Sequence, residues 1–226
     1  MKGREFKDTM YNGLAKVMKA LANPARLEIV EMLSQGEKSV EGIVGTTGLT
    51  FANASQHLQI LKNNNIVKFR KEGHYVYYSL VSNEFLVLYQ HIIKFALTEI
   101  AELEKTLSRQ REDNKALNSV SLDEVETMIR NNNVLLLDVR PSAEFELDHI
   151  TGAVSVPMNE LLSCLKDFSK EKEIIAYCRG PFCVLADEAV KILTENGFKV
   201  RRLNEGYPEW KMKQLESNQS NWTRIS

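Results

Sequence analysis

The chain has 226 residues, 43% hydrophobic and 26% charged, an ordinary globular composition that excludes the disordered and fibrous classes and leaves room for one large domain or two small ones. Its formal net charge of −1 hides an asymmetry, because residues 1–98 hold 12 Lys/Arg against 8 Asp/Glu whereas residues 116–226 hold 13 against 17. A basic front on an acidic back points to a polyanion partner for the first half only.

In chain order, residues 6–21 read as a helix with apolar side chains at Met10, Leu14, Val17, Met18 and Leu21, a three-to-four spacing. Asn23 and Pro24 supply a cap and a first-turn proline for a second helix through Leu33, which Gly36 ends. A short helix over 39–44, a turn over 46–50 and a fourth helix over 51–64 follow, the last with Ala54, Leu58 and Leu61 inward. Residues 66–80 alternate apolar and polar around Glu72-Gly73, the pattern of a hairpin. A long helix over 83–107 then carries an apolar stripe from Phe85 to Leu107, too long for one small domain to cover, so a partner helix is expected against it.

Two short helices, a tight turn between them and a following hairpin make a winged helix-turn-helix, whose second helix lies in the DNA major groove. Its polar side chains Asn53, Ser55, Gln56 and Gln59 are the expected base readers, since Asn and Gln can bond adenine bidentately. Lys62, Lys68, Arg70 and Lys71, with His74 at the hairpin tip, are placed for phosphates. His57 has two readings, a backbone contact or packing within the recognition helix. The pieces Ala22-Asn-Pro-Ala-Arg26, Ser55-Gln-His-Leu58, Leu61 and the wing ending at Tyr77-Tyr78 resemble the ArsR family of bacterial repressors over residues 6–105. The resemblance implies a homodimer, joined through first and last helices, that binds a palindromic double-stranded operator and releases it on meeting an inducer. The front half has no cysteine, and Glu84, His91 and Glu99 are too scattered for a metal site, so neither metal nor cofactor is expected and the inducer must act elsewhere.

The stretch 108–119 is polar, with apolar residues only at Ala116 and Leu117, and reads as a linker between domains at 1–107 and 120–216. The back half alternates helix and strand. A capped helix over 121–131 (Ser121 with Glu124 three later), strands over 134–139, 153–156, 173–177 and 199–203, and helices over 159–167 and 183–196 make an α/β domain with a mostly parallel sheet. The whole is therefore a two-domain chain, a mainly-α winged helix-turn-helix (α+β) ahead of an α/β domain.

In such sheets reactive groups collect beyond the carboxyl ends of strands, and Cys178 immediately follows one. The loop 178–183 reads Cys178, Arg179, Gly180, Pro181, Phe182, Cys183. Amide groups of a tight loop and a following helix N-terminus stabilise negative charge, so Cys178 is expected to be a thiolate that attacks sulfane sulfur and holds a persulfide. Arg179 offers a cation to an anionic donor such as thiosulfate. Cys183 either resolves a Cys178 persulfide into a disulfide or polysulfide bridge, or packs at the helix start. Cys164 sits among apolar residues as filler.

Four motifs in order, Leu137 to Phe145, His149 to Ala153 with Val156-Pro157, Tyr177 to Gly180, and Leu203 to Trp210, resemble a rhodanese domain. The resemblance makes Cys178 the sulfur acceptor and Asp138, Arg140, Glu144 and His149 structural. The chain departs from that pattern at Asp148, where the family has Gly, at Glu205, which replaces the first Gly of a pair, and at Cys183, where the loop commonly ends on Arg. Together the halves predict a homodimeric cytoplasmic repressor, not membrane-bound, that senses reactive sulfur or thiol oxidants through a Cys178 persulfide or a Cys178–Cys183 link. The alternative is an active thiosulfate or sulfane-sulfur sulfurtransferase tethered to a DNA-binding module.

Overall fold

The computed structural model describes residues 3–112, 119–131 and 133–222, which fall into two compact units, Met1–Leu86 and Val87–Ser226. Among the described residues no helix is long and apolar enough to cross a membrane.

The first unit opens with α1 (Gly3–Leu21) and α2 (Pro24–Ser34). Asn23 accepts the Arg26 N–H at 3.2 Å, and Pro24 needs no donor in the first turn, so α2 starts where the sequence says it must. Next comes β1 (Lys38–Ser39), a two-residue strand paired with Tyr77 and Tyr78 where the sequence suggested a helix start. Ser39 then caps α3 (Val40–Thr47) by accepting the Gly42 N–H at 3.1 Å. Gly48, at φ 69°, ends α3 in the left-handed region that a side chain disfavours, and Thr50 caps α4 (Phe51–Asn63) two residues later. β2 (Val67–Glu72) and β3 (Tyr75–Leu80) form the antiparallel hairpin, turning at Gly73, and the sheet order is β1-β3-β2. Ile29, Val30, Ile43, Ala54, Leu58 and Leu61 are fully buried, which fixes α2, α3 and α4 around one core and leaves the outer face of α4 to solvent.

The helix expected at 83–107 is two helices, α5 (Asn83–Glu99) and α6 (Ala101–Glu112), separated at Ile100. Neither Pro nor Gly stands there, and the apolar periodicity runs through the break, so nothing local marked it. The linker region is helical through Glu112; residues 113–118, including Ala116 and Leu117, lie outside the described residues.

The second unit adds β4 (Ser119–Val120), α7 (Leu122–Arg130), β5 (Val134–Asp138), α8 (Ser142–Leu147), β6 (Ala153–Ser155), α9 (Leu161–Cys164), β7 (Glu173–Tyr177), α10 (Leu185–Glu195), β8 (Val200–Leu203) and α11 (Tyr207–Trp222). Its five strands are all parallel in the order β4-β8-β7-β5-β6. Alternation along the strands divides the core between two faces. Leu137, Val139, Ile174 and Ala176 pack with Ala186, Ala189, Val190 and Leu193 of α10. Val134, Leu136, Ile175, Tyr177 and Leu203 pack instead with α7 and with Tyr207 and Trp210 of α11. Cys178 continues the first set, two residues beyond Ala176, so its side chain points under α10.

Candidate functional site

The outer face of α4 presents Asn53, Gln56 and Gln59 exposed and Ser55 half-buried, with Gln59 donating to Asn63 at 2.8 Å. His57 is half-buried, and its Nδ1 has no hydrogen-bond partner among the described residues. On the hairpin, Lys68, Lys71 and His74 are exposed, and the Lys62 ammonium lies 4.1 Å over the Phe69 ring. Arg70, expected to meet phosphate, is paired within the chain. Its guanidinium is shared between the Glu37 carboxylate, at 2.9 and 2.5 Å, and Glu72, and it lies 4.6 Å over the Tyr77 ring. A guanidinium held between two carboxylates has little net charge left to offer a phosphate.

The loop after β7 brings the two cysteines together. Cys178 is 2% exposed, and its thiol donates to the Cys183 carbonyl at 3.6 Å. Burial pushes its pKa well up, and the hydrogen bond to the Cys183 sulfur pushes the same way, against the Ala186 N–H and the Arg202 charge. Cys183 is half-buried and pulled down to about 6, first by the hydrogen bond from Cys178 and then by the Arg179 and Leu185 amides and the Arg179 charge. Of the two thiols, Cys183 is therefore the one drawn toward ionisation and Cys178 the one pushed toward the neutral form. These directions run opposite to the one expected, an ionised Cys178. The cause is the strand register, which buries Cys178 against apolar side chains while the loop turns its amides toward Cys183.

The loop is braced from three sides. Arg179 makes a two-toothed pair with Glu144 on α8, at 2.7 and 3.0 Å, and Glu144 is 2% exposed. That pairing ties Arg179 to the scaffold, where the sequence suggested a cation for an anionic donor. Gly206 packs so tightly that a β-carbon there would lie 2.3 Å from the Gly180 nitrogen and 2.6 Å from the Cys178 carbonyl oxygen, and Tyr207 N–H donates to that same oxygen at 3.2 Å. Glu209 accepts the Gly206 N–H at 2.9 Å and stands against Gly180, whose φ of 137° suits glycine.

Beneath it lies a buried polar network. Asp138 accepts from Arg140 at 2.7 Å and from the Tyr177 hydroxyl at 2.5 Å, and Arg140 also donates to the Asp148 carbonyl at 2.9 Å. His149 stacks on Phe145 at 3.8 Å, with Nδ1 2.9 Å from the Phe145 carbonyl. Among the described residues no three His, Cys, Asp or Glu side chains gather where a metal could sit.

Residues 23–68 match the model of the bacterial regulatory protein, arsR family, and residues 121–213 match the rhodanese-like domain. The HTH-type transcriptional regulator Rv0324 of Mycobacterium tuberculosis (strain ATCC 25618 / H37Rv) is 35% identical over 209 residues, covering 91% of this chain and 90% of its own length. The chain belongs to the ArsR family, with a rhodanese-like domain at its back. It is a DNA-binding transcriptional regulator. The family's helix-turn-helix is also shared with the cadmium resistance transcriptional regulatory protein CadC homolog of Staphylococcus aureus, 47% identical over 68 residues, 30% of this chain and 56% of that one. A solved homodimeric winged helix-turn-helix fragment, residues 1–100 of Mb0332 from Mycobacterium bovis, is 36% identical and covers 42% of this chain and 87% of that one, with a TM-score of 0.40.

Within this ArsR-family regulator the departures from the rhodanese pattern have structural work. Asp148 pairs with Lys211 and accepts from the Tyr207 hydroxyl at 3.0 Å, and Glu205 accepts the Leu122 N–H at 3.2 Å at the start of α7. Sequence reasoning missed Asp187 and Arg202, a buried ion pair 2.8 Å apart that is not aligned for a hydrogen bond, and Arg111 on α6. Burial lowers the Arg111 pKa, the Arg202 charge lowers it further, and Asp187 and Glu205 oppose them. No motif carries these three; only the packing of the second unit joins them. Cys164 is half-buried against the α10 face of the core.

Proposed function

We propose that this regulator is a homodimeric repressor whose rhodanese-like domain senses reactive sulfur or thiol oxidants through a Cys178 persulfide or a Cys178–Cys183 link. The single observation behind the sensing role is that two thiols meet inside one loop, where the hydrogen bond from Cys178 and the Arg179 and Leu185 amides pull Cys183 down to about 6. In the DNA role Asn53, Ser55, Gln56 and Gln59 read base edges, while Lys62, Lys68, Lys71 and His74 meet phosphates.

Dimerisation is supported by apolar faces left open in the single chain. Met10, Leu14 and Met18 on α1 are each more than half exposed, and on α5 Phe95 is 66% exposed. Side chains of that size at helical spacing are normally covered by a second copy. The pairing of Arg179 with Glu144 weighs against rapid turnover of thiosulfate, the rival reading, because it leaves the loop no uncommitted cation of its own. The work belongs in the cytoplasm, where thiols stay reduced until an oxidised sulfur species arrives.

The test is operator binding by the full chain, measured by fluorescence anisotropy before and after inorganic polysulfide, with Cys178→Ser and Cys183→Ser alongside. Wild-type affinity should shift by roughly 5–150-fold, the range of a working allosteric coupling, and both variants should lose the response. An unchanged affinity for fully modified wild type would sink the sensing role.

A further inference from the structure

The recognition helix leaves one large apolar side chain uncovered. Phe51, Ala54, Leu58 and Leu61 follow one another on α4 at three- and four-residue spacing, the stripe of a helix that faces a core. Ala54, Leu58 and Leu61 are fully buried, whereas Phe51 is 54% exposed, so the core ends one turn short of it. Its exposed aromatic neighbours on the hairpin have partners of their own. Phe69 lies under the Lys62 ammonium and 6.0 Å from the Tyr78 ring, and Tyr75 lies 6.3 Å from the Tyr77 ring. Among the described residues no ring or cation stacks on Phe51.

The start of α4 decides where that ring is carried. Thr50 caps the helix by accepting the Asn53 N–H at 3.3 Å, which makes Phe51 the first helical residue. In a helix-turn-helix the N-terminal residues of the second helix are the ones that contact base edges in the major groove. A phenyl ring has neither donor nor acceptor, so it cannot read the hydrogen-bonding pattern of a base. Against a phosphate it would displace water from the most strongly hydrated part of the duplex and return nothing. The one apolar group that a base edge offers in the major groove is the 5-methyl of thymine.

We propose that Phe51 is a specificity-determining residue of this regulator, its ring packing on the 5-methyl group of one thymine in each half-site of the operator. The assignment rests on α4 being the helix that reads bases, and it adds an apolar contact to the polar ones given above. Uracil pairs with adenine as thymine does and presents the same O4, so the contact separates two bases that hydrogen bonds alone would treat alike.

In the experiment the full chain first selects sites from a random duplex library, and each thymine of the selected duplex is then replaced in turn by deoxyuridine, which deletes only the methyl. Measured by fluorescence anisotropy, one position in each half-site should weaken wild-type binding by roughly fourfold, the effect of one methyl-sized apolar group left in water. Phe51→Ala should bind thymine and uracil alike at that position with an unchanged salt dependence, because no phosphate contact is lost, and Phe51→Leu should keep most of the discrimination. In wild type, 5-iododeoxyuridine at the same position sets a photoreactive iodine where the methyl was, and peptide mapping of the cross-link should return Phe51 without any substitution. A scan in which no thymine responds, or a response that Phe51→Ala retains, would overturn the assignment. A cross-link to another residue of α4 would overturn it while leaving α4 as the reader of bases, and cross-links found only outside α4 would remove that reading as well.

Discussion

Gln56 on α4 and Cys178 after β7 are both proposed to act on something outside the chain, yet Gln56 stands in solvent and Cys178 is 2% exposed. The contrast follows from what each region has to recognise. A base edge is reached by a side chain that projects from a rigid helix, and α4 needs only its buried Ala54, Leu58 and Leu61 to aim the opposite face outward. A thiolate has to be stabilised by dipoles in a partly dry environment, and those dipoles exist only when a turn is held in one shape. The loop 178–183 is held by Gly206, Glu209 and Glu144, which are distant in sequence, whereas α4 is held by its own cap and stripe. One site is local and exposed; the other is assembled and enclosed.

Substitutions can push each half of that contrast. Gly206→Ala should have the largest effect, because its β-carbon would meet backbone atoms of Cys178 and Gly180 that cannot swing aside. A loss of about 3 kcal/mol is expected in urea unfolding followed by fluorescence of a Trp222→Phe background, which leaves Trp210 as reporter, together with the loss of rapid cysteine alkylation. A well-behaved Gly206→Ala with normal alkylation would mean the loop is not braced from this side.

Glu209 gives a pH test of the same brace. Burial pushes its carboxyl up to about 7, above the ordinary 4.5, so between those values the folded protein binds a proton that the unfolded chain releases. Its contribution is complete below about pH 4.5 and is lost as pH rises to about 7, a slope totalling at most about 3 kcal/mol. Glu209→Gln should flatten that part of the stability profile.

Cys183→Ser addresses which sulfur is ionised. In a Cys164→Ala background, alkylation should rise with a midpoint near pH 6, and the variant, left with a buried Cys178, should react about a hundredfold more slowly at pH 7. Equal rates would return the thiolate to Cys178. On the exposed side, Gln56→Ala should weaken operator binding by about 2 kcal/mol without changing its salt dependence, since a base contact is lost and no phosphate contact is. A changed salt slope would move Gln56 from base to backbone.

Much of this architecture could be read before any coordinates. The caps at Asn23 and Ser121, the inward stripe of α4, the hairpin around Gly73 and the buried run of β5 are all signals carried by neighbouring residues. So was the meeting of two cysteines in one turn, because they are five positions apart. The short β1 and β4 were not readable, since two-residue strands have no period, and neither was the break at Ile100.

The sequence by itself determined the order of the longer elements, without β1, β4, α8 and α11, together with the outward polar face of α4 and the presence of a thiol loop beyond a parallel strand. The tertiary structure alone decided that Cys178 is buried while Cys183 is half-buried, that Arg70 and Arg179 are bound to carboxylates, and that Arg111 shares a cavity with Cys183. The physical reason is range. Caps, turns and hydrophobic periods act between residues a few positions apart, whereas burial, ion pairing and a cavity wall depend on groups that only folding brings within a few ångströms.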